Sequence, residues 1–118
     1  TLQVDVQERA GATVVRLNGQ ASVMTEDAIK RLVDRLRALH PKRIVLDLAK
    51  LTFISSLAIG LFVSLERDLK NHGGQVAIAA ANNDVGKVIQ RCKLDKVIQR
   101  CKLDTIMPVY ESVDQAMG

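Results

Sequence analysis

Tryptophan is absent, and aromatic residues make up only 3% of the 118 positions. That removes the stacking platforms on which single-stranded nucleic-acid modules depend. No apolar run approaches the ~18–20 residues of a membrane-spanning helix, so no membrane span is expected. The opening residues carry no secretion-signal pattern, and the expected compartment is the reducing cytoplasm. Only two cysteines occur, Cys92 and Cys101, without C-x-x-C spacing or a nearby histidine. They read as small apolar side chains rather than metal ligands. Also missing are a Gly-x-Ser-x-Gly elbow, a glycine-rich phosphate loop with lysine, and paired histidines. An enzyme is therefore the least expected class, and neither cofactor nor metal is expected.

What is present suits one globular domain over residues 1–118: 47% apolar and 25% charged residues, ordinary for a packed core. A chain of this length buries roughly two-thirds of its unfolded surface without metal or disulfide staples. The net charge of +4 is inflated by a tandem repeat, because residues 87–95 (Lys-Val-Ile-Gln-Arg-Cys-Lys-Leu-Asp) recur letter for letter at 96–104. One copy contributes +2, so a single-copy chain of 109 residues would carry +2 and one cysteine. Half the basic excess is thus duplication and says nothing about an acidic partner.

Period-two alternation from Leu2 to Glu8 predicts a half-buried strand, and Ala10-Gly11 a turn. A second strand is read over 13–17, stopped by Asn18-Gly19. Thr25 is the expected N-cap of a helix with Glu26 and Asp27 in its first turn, and His40-Pro41 end it. Ala28, Ile29, Leu32, Val33, Leu36 and Leu39 form its apolar stripe. The near-continuous apolar run 44–48 predicts an inner, parallel strand covered on both faces. Residues 57–71 read as a helix that starts deep and emerges into solvent at Glu66-Arg67-Asp68, with Gly73-Gly74 as its stop. A strand over 76–80, a third helix capped by Asn83, an edge strand over 106–110 containing Pro108, and a helix 113–117 capped by Ser112 complete the chain. The order is β-β-α-β-α-β-α-β-α, a mixed sheet with helices, hence an α/β fold.

The stretch from Asp47 to Gly60 carries the functional signal. A buried strand leads through a short loop to two hydroxyls, Ser55 and Ser56, where the most apolar helix begins. A serine there caps the orphan amides of the first turn. The same amides and the positive end of the helix dipole would stabilise a phosphate on that hydroxyl. Asp47 reads as a nearby anion or a turn former at a strand end.

The element order, together with Phe53-Ile54-Ser55-Ser56-Leu57-Ala58-Ile59-Gly60, resembles the STAS domain family of bacterial anti-sigma factor antagonists, whose string at this place is Phe-Ile-Asp-Ser-Ser-Gly-Leu-like. Leu17-Asn18-Gly19 and Met107-Pro108-Val109-Tyr110 extend the resemblance over essentially the whole chain. It implies a small binding protein that captures an anti-sigma factor of the serine-kinase type and frees a sigma factor. The phospho-acceptor it implies is Ser56, and its partner surface Ser22, Ser55, Ser56, Leu57 and Ala58. The sequence departs from the family at Ser55 (where the family has Asp), Leu57 (Ser) and Ala58 (Gly). The loop Gln20-Ala21-Ser22-Val23 also lacks the family's acidic residue. These departures keep an alternative open: a non-phosphorylated STAS subunit of a lipid-transport ATPase or sensory complex.

The perfect repeat points to a recent or deliberate, engineered duplication within the third helix. Nine residues at ~100° each make two and a half turns, adding about 13.5 Å and reversing the helix face. Either one copy loops out or the helix runs on and carries the last strand and helix to a second molecule. The junction Leu94-Asp95-Lys96-Val97 has no Gly or Pro, which favours a lengthened helix and a segment-swapped homodimer. The cations Lys30, Arg31, Arg35, Arg37, Lys42 and Arg43 cluster around the first helix. Interspersed with Asp34, they read as a solvated face, and no nucleic-acid partner is expected. His40 and His72 read as exposed helix-end residues, and Met24, Met107 and Met117 as core or rim filler.

Overall fold

The computed structural model describes residues 2–79, 84–88 and 109–117. Strands β1 (Leu2–Arg9) and β2 (Ala12–Ala21) form an antiparallel hairpin. Its turn places Ala10 and Gly11 at φ 49° and 83°, the double left-handed geometry that matches strand twist in two-residue hairpins. A 3₁₀ turn, Val23–Thr25, leads into helix α1 (Glu26–Leu39). Strand β3 (Arg43–Ile54), helix α2 (Ser56–Lys70) and strand β4 (Gln75–Ala79) follow. Residues 84–88 are helical (α3), and β5 (Val109–Tyr110) and α4 (Val113–Met117) close the described chain.

The five-stranded sheet has the order β1-β2-β3-β4-β5, with every pairing after the hairpin parallel. The mixed α/β architecture expected from the sequence is the observed one, and β3 is the inner parallel strand. Alternate side chains of β3 feed two cores. Ile44, Leu46 and Leu48 pack with Ile29, Leu36, Phe62 and Leu65 of α1 and α2 on one face. Val45 joins Ala77, Ala79 and Ala116 under α4 on the other. Ser112 caps α4 as expected, its Oγ accepting from Gln115 N at 3.2 Å. The edge strand is seen at Val109–Tyr110. Pro108, Met107, the Asn83 cap, both cysteines and nearly all of the repeat lie outside the described residues. The lengthened helix and the segment swap lie there too.

Two expectations fail at the strand ends. β2 does not stop at Asn18-Gly19, and β3 does not give way to a loop after Leu48. Pairing continues as Asn18↔Lys50, Gly19↔Leu51, Gln20↔Phe53 and Ala21↔Ile54, with register shifts at Arg16/Asn18 and Gly19/Gln20. Each shift inserts an extra β3 residue, and such bulges break the period-two alternation by which a strand is read. Gly19, at φ 117°, takes the backbone where a side chain would be strained, and Thr52 Oγ1 donates to its carbonyl at 2.9 Å.

Glu66 is the third correction. It does not emerge into solvent but is wholly buried. It follows Phe62 by four residues and so lies on the same inward stripe of α2. Its Oε2 accepts the backbone N–H of Val76 at the start of β4, and Lys70 Nζ stands 3.6 Å from Oε1. Burial pushes its carboxyl above the usual glutamate range, against the opposing pull of the Val76 amide and Lys70.

Candidate functional site

β3 delivers the chain directly to the start of α2. Ser55 has extended backbone (φ −86°, ψ 159°), and its Oγ accepts from Ala58 N at 3.1 Å, which makes it the N-cap. Its own N–H donates to Ala21 O at 2.8 Å, fastening the start of α2 to the end of β2. Ser56, the first residue of the helix, is exposed. Among the described residues its hydroxyl has no protein hydrogen-bond partner. The capping duty thus falls on Ser55 and leaves the Ser56 oxygen uncommitted.

The other expected site residues divide. Leu57 is 42% exposed beside Ser56, but Ala58 is 1% exposed and packs into the main core. Its side chain offers a partner no surface, because its place in the helix points it inward with Ile59 and Phe62. Ser22 is half-buried and ends β2's side of the site. Its Oγ accepts from Met24 N at 3.2 Å, while Thr25 Oγ1 accepts from Ser22 N at 2.9 Å. This reciprocal capping box serves the 3₁₀ turn. Thr25 still sits at the N-cap of α1 but makes no side-chain cap there; its hydroxyl donates to Gln20 O and Ser22 O instead. The Ser55–Ala21 bond brings these two turns together at one end of the sheet.

Asp47 is remote from this end. It lies mid-strand, its Oδ1 accepting from Ala49 N at 3.1 Å and its Oδ2 paired with Arg16 at 3.2 Å. At about 3.3 Å per residue, the run from Asp47 to Ile54 sets it roughly 20 Å from the helix start. Two members of the basic cluster, Lys30 and Arg37, are paired with carboxylates, and Arg43 is held by a backbone carbonyl. Glu26 holds Lys30 at 2.9 Å, and the same contact raises the lysine's pKa. Arg37 reaches Asp34, Asp68 and Ser64, and Arg43 Nη1 donates to Met117 O at 2.6 Å. Such pairing suits the solvated-face reading of these cations.

Sequence reasoning missed an apolar contribution to this end of the molecule. Val23 and Met24 on the 3₁₀ turn, with Met24 92% exposed, and Phe53 near the end of β3 all stand in solvent with Leu57. Met24 is therefore neither core nor rim filler. The signal was available in one respect: Val23-Met24 lies between a strand and a polar first turn, where no buried stripe claims either side chain. Among the described residues no group of three or more His, Cys, Asp or Glu side chains gathers as a metal centre. Among them, too, no helix is long and apolar enough to cross a membrane.

The chain is 26% identical over 117 residues to an anti-sigma F factor antagonist of Paenibacillus polymyxa, covering 98% of this chain and 92% of that protein. The crystal structure of an anti-sigma factor antagonist from Mycobacterium paratuberculosis superposes with a TM-score of 0.82 at 20% identity, covering 99% of this chain and 92% of that one. The unphosphorylated anti-sigma factor antagonist SpoIIAA, a Bacillus cell fate determinant, gives 0.72 at 18% identity, covering 99% and 93%. SpoIIAA has also been solved in its phosphorylated form, against which the TM-score is 0.66 at 18% identity, covering 99% and 96%. The family model described as STAS domain matches residues 3–116, and the chain belongs to the STAS domain family.

Proposed function

We propose that this protein is an anti-sigma factor antagonist, a binding protein rather than an enzyme, which captures a serine-kinase-type anti-sigma factor in the cytoplasm and is switched by phosphorylation of Ser56. The observation that carries the reading is the division of labour at the start of α2: Ser55 caps, and Ser56 is exposed with a free hydroxyl. A kinase can reach that oxygen without dismantling the helix cap. The partner surface runs over Ser22, Ser55, Ser56 and Leu57, with Ala58 withdrawn beneath it. A phosphate on Ser56 would be held by the amides and dipole of the first turn of α2. Its charge of about −1.5 to −2 would enter an interface rimmed by Leu57 and desolvated on docking, which drives release.

The test mixes the protein with serine-kinase-type anti-sigma factors, then adds ATP. A complex on size exclusion, phosphate on Ser56 by mass spectrometry and dissociation on ATP addition are expected; Ser56→Ala stays bound. Absence of both complex and phosphate overturns the reading. Complex formation without phosphate transfer favours the second reading, an unphosphorylated STAS subunit of a lipid-transport ATPase or sensory complex. Ser22 and Ser55, standing where the family resemblance places carboxylates, argue for that reading. The tandem repeat adds a homodimer by segment swapping, which light scattering detects as a concentration-dependent dimer; monomer alone defeats it.

A further inference from the structure

The fold brings together two histidines that the sequence separates by 32 positions, at the end of the molecule opposite the first turn of α2. His40 is the C-cap of α1, in the left-handed conformation (φ 47°, ψ 49°). His72 follows the C-terminus of α2, and the two ring centroids are 5.6 Å apart with planes inclined at 51°. We propose that these paired imidazoles form a binding site for a divalent transition-metal cation of the zinc class.

His72 is already arranged as a ligand. Its Nδ1 lies 2.9 Å from the backbone carbonyl oxygen of Asp68. A carbonyl only accepts, so the neutral ring carries its proton on Nδ1 and leaves the Nε2 lone pair unused. Outer hydrogen bonds of this kind fix tautomer and orientation in metal-binding histidines. The spacing fits as well. Metal–nitrogen bonds of about 2.0–2.1 Å at a near-tetrahedral or trigonal angle place two imidazole centroids about 5–6 Å apart. Both residues are exposed, so an ion reaches them from solvent. They line a cavity of about 460 Å³ with Leu69 and Pro41 among its walls.

The helix ends suit a cation, while the charges of Arg37, Lys42, Asp34 and Asp68 around them sum to zero. Both rings sit at helix C-termini, where the dipole is negative. The neighbouring Arg37 guanidinium is held between Asp34 at 3.3 Å and Asp68 at 2.5 Å, so the three together carry excess negative charge. Lys42 is the opposing cation in the cavity wall. With two protein ligands, water fills the remaining coordination positions, and binding is weaker than at a closed four-ligand structural centre.

Calorimetric titration of ZnCl2 into the whole protein tests the site, in a Cys92→Ser/Cys101→Ser background that removes thiolate competition. Saturable binding of one equivalent below about 1 mM zinc is expected. His72→Ala and His40→Asn, the latter chosen because asparagine tolerates the left-handed conformation, should each weaken binding at least tenfold. Thermal melts in EDTA establish that both variants fold. Absence of saturable binding up to about 1 mM zinc, a free energy near −4 kcal/mol, overturns the proposal, as does equal affinity in the folded variants.

Discussion

At its first turn α2 leaves Ser56 and Leu57 in solvent, whereas ten residues on, Glu66 is wholly buried with its carboxylate against Val76. The first turn is held through Ser55: Ala58 N donates to its Oγ and Ile59 N to its carbonyl, both at 3.1 Å, while its own N–H donates to Ala21 O at 2.8 Å. The last turn is held by a denser set. Gly74 N donates to Leu69 O at 2.7 Å, Gly73 N to Lys70 O at 3.1 Å, and Gln75 N to Lys42 O at 2.9 Å. Asp68 is tied to α1 through Arg37. The docking and modification site proposed above needs accessible groups on a rigid base, and one helix supplies both by concentrating its interactions at the other end.

The largest loss is expected in the buried middle of α2. Phe62→Ala empties a core position packed between both helices and the sheet, and should cost about 3–5 kcal/mol by denaturant unfolding. Ser55→Ala removes the cap and should cost about 1 kcal/mol, because the Ala58 amide loses its acceptor. Leu57→Asp should change stability by no more than about 0.5 kcal/mol yet abolish complex formation with an anti-sigma factor on size exclusion. Glu66→Gln sharpens the contrast through pH. The folded carboxyl titrates above its unfolded value, so the wild type is favoured while Glu66 is neutral and loses stability as pH rises from the ordinary carboxylate range through the raised folded value. Melting temperatures of Glu66→Gln should therefore exceed the wild type at pH 7 and converge with it in acid. Parallel pH profiles would contradict that. Ser56→Ala should have the smallest effect on stability, within about 0.5 kcal/mol by denaturant unfolding, while removing the proposed acceptor hydroxyl altogether.

How much was legible in the sequence follows the regularity of each element. Ile29, Leu32, Val33 and Leu36 of the α1 stripe and the run 44–48 sit buried where their patterns put them, whereas Leu39, at the end of the stripe, is 56% exposed beside the helix C-cap. The two bulges between β2 and β3 follow no such pattern, because an inserted residue moves every later side chain to the other face. The strand extension that delivers Ser55 to its place was thus hidden. Glu66 was misread for a different reason: charge drew the eye away from its i+4 relation to Phe62. At the site, the Ser55-Ser56 pair stands out by its position before an apolar helix, and only the family resemblance points to Ser56 within it. The division of roles between Ser55 and Ser56 needed coordinates, since either hydroxyl could cap on spacing alone. His40 and His72 carry no local signal of each other, because only the packing of α1 on α2 brings them within reach.

The Ser55 N–H to Ala21 O bond has a mechanical consequence. It makes the 3₁₀ turn carrying Val23 and Met24 and the first turn of α2 a single lever, hinged on the paired ends of β2 and β3. A load applied to either turn meets the other through that amide and the paired strand ends beside it. Hydrogen exchange at Ser55 is consequently the gauge of that linkage: a visitor that grips only the Met24 turn should still slow it.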